Sequence, residues 1–365
     1  MNSHARLTYP QEQAAKDGQP DAQTAKLMDK VINPLYAAYD ILARARVARG
    51  ALALEGGEYK ADVDRATGTV KGMQKYELQD SNKLIEEFMI LANVAAASAL
   101  EDKNSACVYR VHEKPISQSK VNELRDYLSA IGIKQPEGNA DEPAFFNQVL
   151  ADAKQRGCGG VVQDAIMRVQ AKAAYKTDNA GHFGLALEKY AHFTSPIRRY
   201  ADLLVHRSLV EAFSLGAGGL DAAQAGKLEK MVENLSVTET ASTHAERAAN
   251  DRYAASYLSG SVGREFTGTI QSATMAGLFI QFDDLGAVGL LPWKALPRDQ
   301  YRLDETTRSI IGQNHVYRAG AKMDVRLTQA NTLKGTLVLA PANGNSADLD
   351  GFKQSGKRRG GYRPS

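Results

Sequence analysis

At Gly263 the chain changes its apolar period, and this constrains its fold more than any other feature. Before that point apolar residues recur three and four apart, as on one face of a helix, for example Leu27, Val31, Leu35, Ala38, Ile41 and Leu42. After it, Phe266, Gly268 and Ile270, then 277–282, 289–292 and 323–327, alternate as short strands divided by glycine turns. The chain therefore reads as α+β, a helix-rich part with a few strands over 1–258 followed by a five-stranded β-barrel of the OB type over 259–342. The open face of such a barrel stacks single strands on aromatic side chains, which makes Phe279, Phe282 and Trp293 candidates for a stacking platform. The competing reading is that one of the phenylalanines fills the small barrel core. Residues 343–365 carry Lys357, Arg358, Arg359 and Arg363 among glycines and read as a disordered basic tail.

In the helix-rich part, Ala5, Leu7 and Tyr9 alternate with Arg6 and Thr8 as the end of a strand, residues 13–21 read as polar loop, and 21–50 read as one long helix. A hairpin is expected over 59–70, turned at Ala66-Thr67-Gly68. The run 80–100 is apolar around nearly its whole circumference and is expected to be buried. Glu86 and Glu87 lie inside it, and a buried carboxylate needs donors. Glu86 and Asn93 are seven apart, share a face, and are candidates to bind ribose hydroxyls; the alternative is an ion pair between Glu86 and Arg110. Residues 108–115 read as a short strand, 117–131 and 145–156 as surface helices, and 161–175 as a further helix.

The most distinctive stretch is residues 192–207, His-Phe-Thr-Ser-Pro-Ile-Arg-Arg-Tyr-Ala-Asp-Leu-Leu-Val-His-Arg. Ser195-Pro196 reads as a helix start, with Ile197, Ala201, Leu204 and Val205 on one buried face. Arg198 and Arg199 would then sit in the first turn, where the helix dipole disfavours cations, so an anion is expected there. Free amides, the Ser195 hydroxyl and two guanidinium forks make a phosphate site. The alternative is that the arginines are solvated or paired with carboxylates such as Asp202. Tyr190 and His192 stand close enough in sequence to suit stacking on bases, and His192 and His206 are either acid–base groups or helix-face histidines.

A net charge of +3 permits an acidic polymer as partner without demanding one. Two cysteines, Cys107 and Cys158, are too few for a disulfide framework, and the seven histidines show no metal-binding spacing. No run of about eighteen apolar residues exists, so a cytoplasmic protein without a membrane span is expected.

Residues 192–207, together with Asn179-Ala180-Gly181-His182-Phe183-Gly184-Leu185-Ala186-Leu187, Tyr109-Arg110-Val111-His112 and Ser3-His4-Ala5-Arg6-Leu7-Thr8-Tyr9, resemble the ribonuclease II and ribonuclease R family of processive 3′-to-5′ exoribonucleases. The resemblance implies an RNB-type catalytic domain, single-stranded RNA as substrate, Mg²⁺ as cofactor, and Arg198 as the arginine at the scissile phosphate. It places Tyr9 near the RNA 3′ end, Glu86 in the RNA channel, and Glu246 in an Ala-Glu-Arg element that either braces the site or pairs with an arginine. The barrel resembles the RNA-binding domain first recognised in ribosomal protein S-one. Departures are Gly56-Gly57 for an apolar residue and proline, Asn82 for histidine, and Ser242-Thr243 for two arginines.

The family's metal-binding aspartates form a compact cluster ahead of the Ser-His-Ala-Arg segment, and this sequence is expected to lack them, since neither Asp62 and Asp64 nor Asp283-Asp284 resembles that cluster. Three readings follow: an exoribonuclease completed by a separately encoded N-terminal fragment, an inactive RNA-binding remnant, or the truncated product of a disrupted gene.

Overall fold

The computed structural model describes residues 3–54, 56–115, 117–138 and 140–342. The basic tail expected at 343–365 lies outside the described residues. Two compact units result, one from the described residues up to Glu58 plus Lys75–Ala248, the other from Tyr59–Gln74 plus the described residues from Ala249 onward.

The first unit opens with helix α1 (Tyr9–Lys16), where alternation suggested a strand and then a loop. A capping box is the reason. Thr8 Oγ1 accepts from Gln11 N at 3.4 Å, Gln11 Oε1 accepts from Thr8 N at 3.0 Å, and Pro10 sits where no amide is needed. The segment expected as one helix is instead a 3₁₀ turn (Ala25–Leu27), a π-helical stretch (Met28–Ile32) and α2 (Asn33–Ala48). Pro34 has no amide to donate, and the regular α register begins beside it.

A hairpin of β1 (Gly57–Val63) and β2 (Val70–Glu77) turns through Gly68 at φ +71, as expected. Helix α3 (Asp80–Asp102) buries Leu84, Ile90, Ala97 and Leu100, but one face is open, with Leu91 half exposed. Strand β3 (Tyr109–Val111) follows, then α4 (Gln118–Ala130), α5 (Pro143–Gln155) and α6 (Gly159–Val169). The two helices expected on the surface share a core with α6 around Leu128, Phe146, Val149 and Ile166, all nearly inaccessible. The chain leaves α6 at Val169, short of the expected helix, so that β4 (Ala174–Lys176) can pair antiparallel with β3. Helix α7 (Tyr200–Ala212) then packs Ala201, Leu204 and Val205 with Ala96, Ala97 and Leu100 of α3. A short α8 (Ala222–Ala225) and the long α9 (Leu228–Leu258) complete the helices.

In the second unit β5 (Glu265–Thr274), β6 (Gly277–Phe282), β7 (Val288–Pro292), β11 (Lys322–Asn331) and β12 (Thr336–Pro341) close a barrel in the order β11-β12-β7-β6-β5. All pairs are antiparallel except β12 with β7. The five-stranded barrel expected from the alternation is therefore present. Between β7 and β11 the chain adds a small sheet of β8 (Arg302–Asp304), β9 (Ser309–Ile311) and β10 (Val316–Tyr317), which alternation over so few residues does not reveal. Asp299 organises the loop beside it, accepting from the amides of Gln300, Gln313, Asn314 and His315 at 2.7–3.2 Å.

The β1–β2 hairpin belongs with this barrel. Tyr59 donates its hydroxyl to Asp283 O at 2.8 Å, its ring lies on Gly286, and Met73 packs against the barrel core. Gly286 sits at φ +65, and a Cβ there would fall 2.1 Å from the ring. Gly286→Ala is expected to cost about 1–3 kcal/mol and to raise amide exchange in 59–74. Unchanged exchange in the hairpin would contradict the docking. Among the described residues no helix is long and apolar enough to cross a membrane.

Candidate nucleic-acid interface

Ser195-Pro196 does not start a helix. Residues 193–199 form a loop and a single turn, and α7 begins at Tyr200 with Arg199 as its cap residue. Ile197, expected on the buried face with Ala201, Leu204 and Val205, is fully exposed at 103%, because the helical phase that buries the other three begins after it. The anion expected at this helix mouth is the protein's own Asp202. Asp202 is 0% exposed, and its carboxylate accepts from Ser195 N at 2.7 Å and from Arg199 Nε and Nη2, both at 2.8 Å. A first-turn carboxylate gains from the helix dipole, and the bidentate fork matches its two oxygens. Arg199 is thereby committed internally, and so is the Ser195 amide. Arg198 is exposed, and its guanidinium has no hydrogen bond or ion pair among the described residues. The arginine pair thus divides into one structural and one open cation.

The loop has a second anchor on α3. Asn93, 2% exposed, accepts on Oδ1 from Phe193 N at 2.9 Å and Thr194 N at 3.3 Å, and donates through Nδ2 to the Tyr190 hydroxyl at 2.9 Å. The buried Tyr190 therefore holds an amide, where stacking on a base was expected. His206 Nε2 lies 2.9 Å from Phe193 O, with its ring stacked on Phe193 at 4.2 Å. The Thr194 hydroxyl is buried and has no hydrogen-bond partner among the described residues.

His192 Nδ1 stands 2.8 Å from the Tyr175 hydroxyl, and burial, with the Arg199 and Arg110 charges nearby, pushes the imidazole down to about 3. It is neutral at physiological pH. Burial likewise pushes His182 down to about 4, with His112 and Arg110 adding to the effect, and lowers His112 itself.

Glu86, expected to be buried, is 49% exposed at its side chain, whereas Glu87 is 6% exposed. Spacing explains the exchange, since Ser81, Leu84, Glu87 and Ile90 mark the inward face of α3 at steps of three. Arg46 binds both carboxylates, Glu86 at 3.1 Å and Glu87 at 2.6 Å. Arg110, the partner expected for Glu86, instead binds Glu239 of α9 through two 2.8 Å hydrogen bonds and lies over the Tyr175 ring. Tyr9 is 40% exposed at the start of α1, and Glu246 is exposed on α9.

In the barrel unit, the outward phase of β6 leaves Phe279 half-buried, while Leu278, Ile280 and Phe282 point inward. Phe282 belongs to the barrel core at 1% exposure and forms no part of an external platform. Trp293 is half-buried, with Nε1 donating to Thr274 O at 2.7 Å.

Among the described residues no group of three or more His, Cys, Asp or Glu side chains converges as a cation cage. Asp64 accepts from the turn amides of Ala66 and Thr67 and pairs with Lys71, and Asp283 pairs with Lys322 at 2.6 Å. The described residues therefore do not fit Mg²⁺.

Residues 1–214 match the RNB domain. Ribonuclease R of Escherichia coli (strain K12) is 34% identical over 343 residues, covering 91% of this chain and 42% of that protein. Ribonuclease R of Aquifex aeolicus (strain VF5) is 35% identical over 332 residues, covering 89% and 46%. The structure of Mycoplasma genitalium RNase R in complex with ribose methylated single-stranded RNA matches with a TM-score of 0.84 at 25% identity, over 92% of this chain and 53% of that one. The chain thus spans less than half the length of these two curated relatives.

Proposed function

The chain belongs to the RNB domain family, and on that premise we propose that it forms the RNA-engaging part of a ribonuclease R-like 3′-to-5′ exoribonuclease acting on single-stranded RNA. The observation that carries this reading is Arg198, an exposed guanidinium without an internal partner, on a loop whose amides at Phe193, Thr194 and Ser195 are held by Asn93 and Asp202. A planar cation so placed pairs with phosphate oxygens and offsets the charge that develops on them during phosphodiester cleavage. The buried, unpartnered Thr194 hydroxyl beside it is the kind of orphan that persists at working sites. Tyr9, Glu86 and Glu246 are exposed or half exposed and fit contacts along the strand, and Phe279 and Trp293 fit base stacking on the barrel. Asn93 and Arg199 serve the same reading from inside the fold.

Hydrolysis needs a nucleophilic water and stabilised oxygens, for which Mg²⁺ held by clustered carboxylates is the family's expected means. We assign those carboxylates to residues other than the described ones. The free thiols Cys107 and Cys158 suit a reducing cytoplasm. A second reading, an RNA-binding chain that does not cleave, is favoured by the absence of a carboxylate cage among the described residues.

Arg198→Ala is expected to weaken binding of a 3′-single-stranded RNA about tenfold, as loss of one phosphate contact does. It should also lower the salt-dependence slope by about 0.7 with an unchanged melting temperature. An unaltered dissociation constant would overturn the reading. Incubating the chain with that RNA and Mg²⁺ or Mn²⁺ separates the two versions: stepwise shortening defeats the non-cleaving one, and binding without shortening supports it.

A further inference from the structure

Residues 193–199 present Arg198 from a segment with almost no regular structure, and fixing such residues costs backbone entropy. Two devices meet that cost. On the C-terminal side Asp202 holds Ser195 N and Arg199, both close to it in sequence. On the N-terminal side the hold is remote. Asn93, on the far-removed helix α3, accepts both the Phe193 and the Thr194 amide on a single oxygen. Its own orientation is fixed from the other end, because Nδ2 donates to the buried Tyr190 hydroxyl.

The side chain is 2% exposed, and both its oxygen and its nitrogen are engaged. Such burial, with the oxygen already accepting twice, leaves it no surface with which to contact a ribose. We propose that Asn93 is a positioning residue for Arg198, fixing the entry of the loop so that the guanidinium meets a phosphate, while never touching RNA itself. This rests on the reading of Arg198 as a phosphate contact.

Asparagine is neutral, so its removal alters the number of counterions released on RNA binding only by displacing a cation that binds phosphate. The full chain is titrated with a fluorescent 3′-single-stranded RNA over a salt series as wild type, Asn93→Ala, Arg198→Ala and the double variant. Asn93→Ala is expected to weaken binding about tenfold and to lower the salt slope by about 0.7, as Arg198→Ala does. In the Arg198→Ala background it is expected to change neither quantity, because interacting sites are not additive.

Equal losses from Asn93→Ala in both backgrounds would mean direct contact with RNA and would overturn the proposal. So would undiminished affinity or an undiminished slope in the single variant. If Arg198→Ala itself leaves binding intact, the phosphate-contact reading fails first, a result distinct from additivity. Should Asn93→Ala not fold cooperatively by circular dichroism, Asn93→Ser, which draws the acceptor back from the two amides, carries the same cycle with the same criteria.

Discussion

Replacing Arg199 with alanine is expected to destabilise the protein by about 3–5 kcal/mol, the cost of leaving a buried charge without its partner. The partner is Asp202, which is 0% exposed and receives two of its three hydrogen bonds from the Arg199 guanidinium. After the replacement it keeps only Ser195 N among those three, at the foot of α7. The same change at Arg198 removes an exposed side chain with no partner among the described residues and is expected to move stability by no more than about 0.5 kcal/mol. Two adjacent arginines should therefore separate cleanly, one scored by denaturant unfolding and the other by RNA affinity. Removing both partners with apolar residues, Arg199→Met with Asp202→Leu, should recover much of the lost stability, because no uncompensated charge remains. A loss below about 1 kcal/mol for Arg199→Ala would show that the clip contributes little.

Acid is the second large perturbation. His182 and His192 are held down to about 4 and about 3, first by burial and then by neighbouring charge, against about 6.5 in an unfolded chain. The hydrogen bonds agree for His182, since its Nδ1 accepts from Leu185 N and protonation would set two donors against each other. His112 is lowered in the same direction, and its Nδ1 accepts from Gly184 N. A depressed histidine contributes stability that is fully present above about pH 6.5 and is lost as pH falls toward the folded value, because the unfolded chain binds the proton more readily. At pH 5, His182 and His192 should each forfeit about 2 kcal/mol, together about 4. Glu12 and Asp164, raised by burial, pull the opposite way as pH falls. The check is the unfolding free energy at pH 7.5 and pH 5.0, with His192→Gln expected to remove roughly half of the difference. Equal stability at the two values would show that these imidazoles are free to charge in the folded state.

Much of the architecture was legible in the residue pattern. Alternation at 277–282 and 323–327 reported barrel strands, and Gly68 marked the hairpin turn. The misreading at Tyr9 had a local signal that outweighs alternation, namely Thr8 and Gln11 in a capping box with Pro10 between them. Steps of three along α3 put Glu87 inside and Glu86 outside, a distinction that the general apolarity of the helix concealed. Phe279 and Phe282 differ by an odd number of positions along β6, so only one of them faces the core, and the closed barrel decided which. The site was legible as a set of residue types, and the Arg199–Asp202 pair at a spacing of three was its detectable internal contact.

By itself, the sequence determined the helix-rich part, the barrel and an arginine pair next to a helix start, because periodicity and capping are local and are written within a few residues. The tertiary structure alone decided that Asp202 takes Arg199 and leaves Arg198 open, and that Asn93 grips a loop 100 residues away. Hydrogen bonds in a buried loop are settled by whichever donors and acceptors packing brings within about 3 Å, and no short window of sequence contains both ends of such a contact.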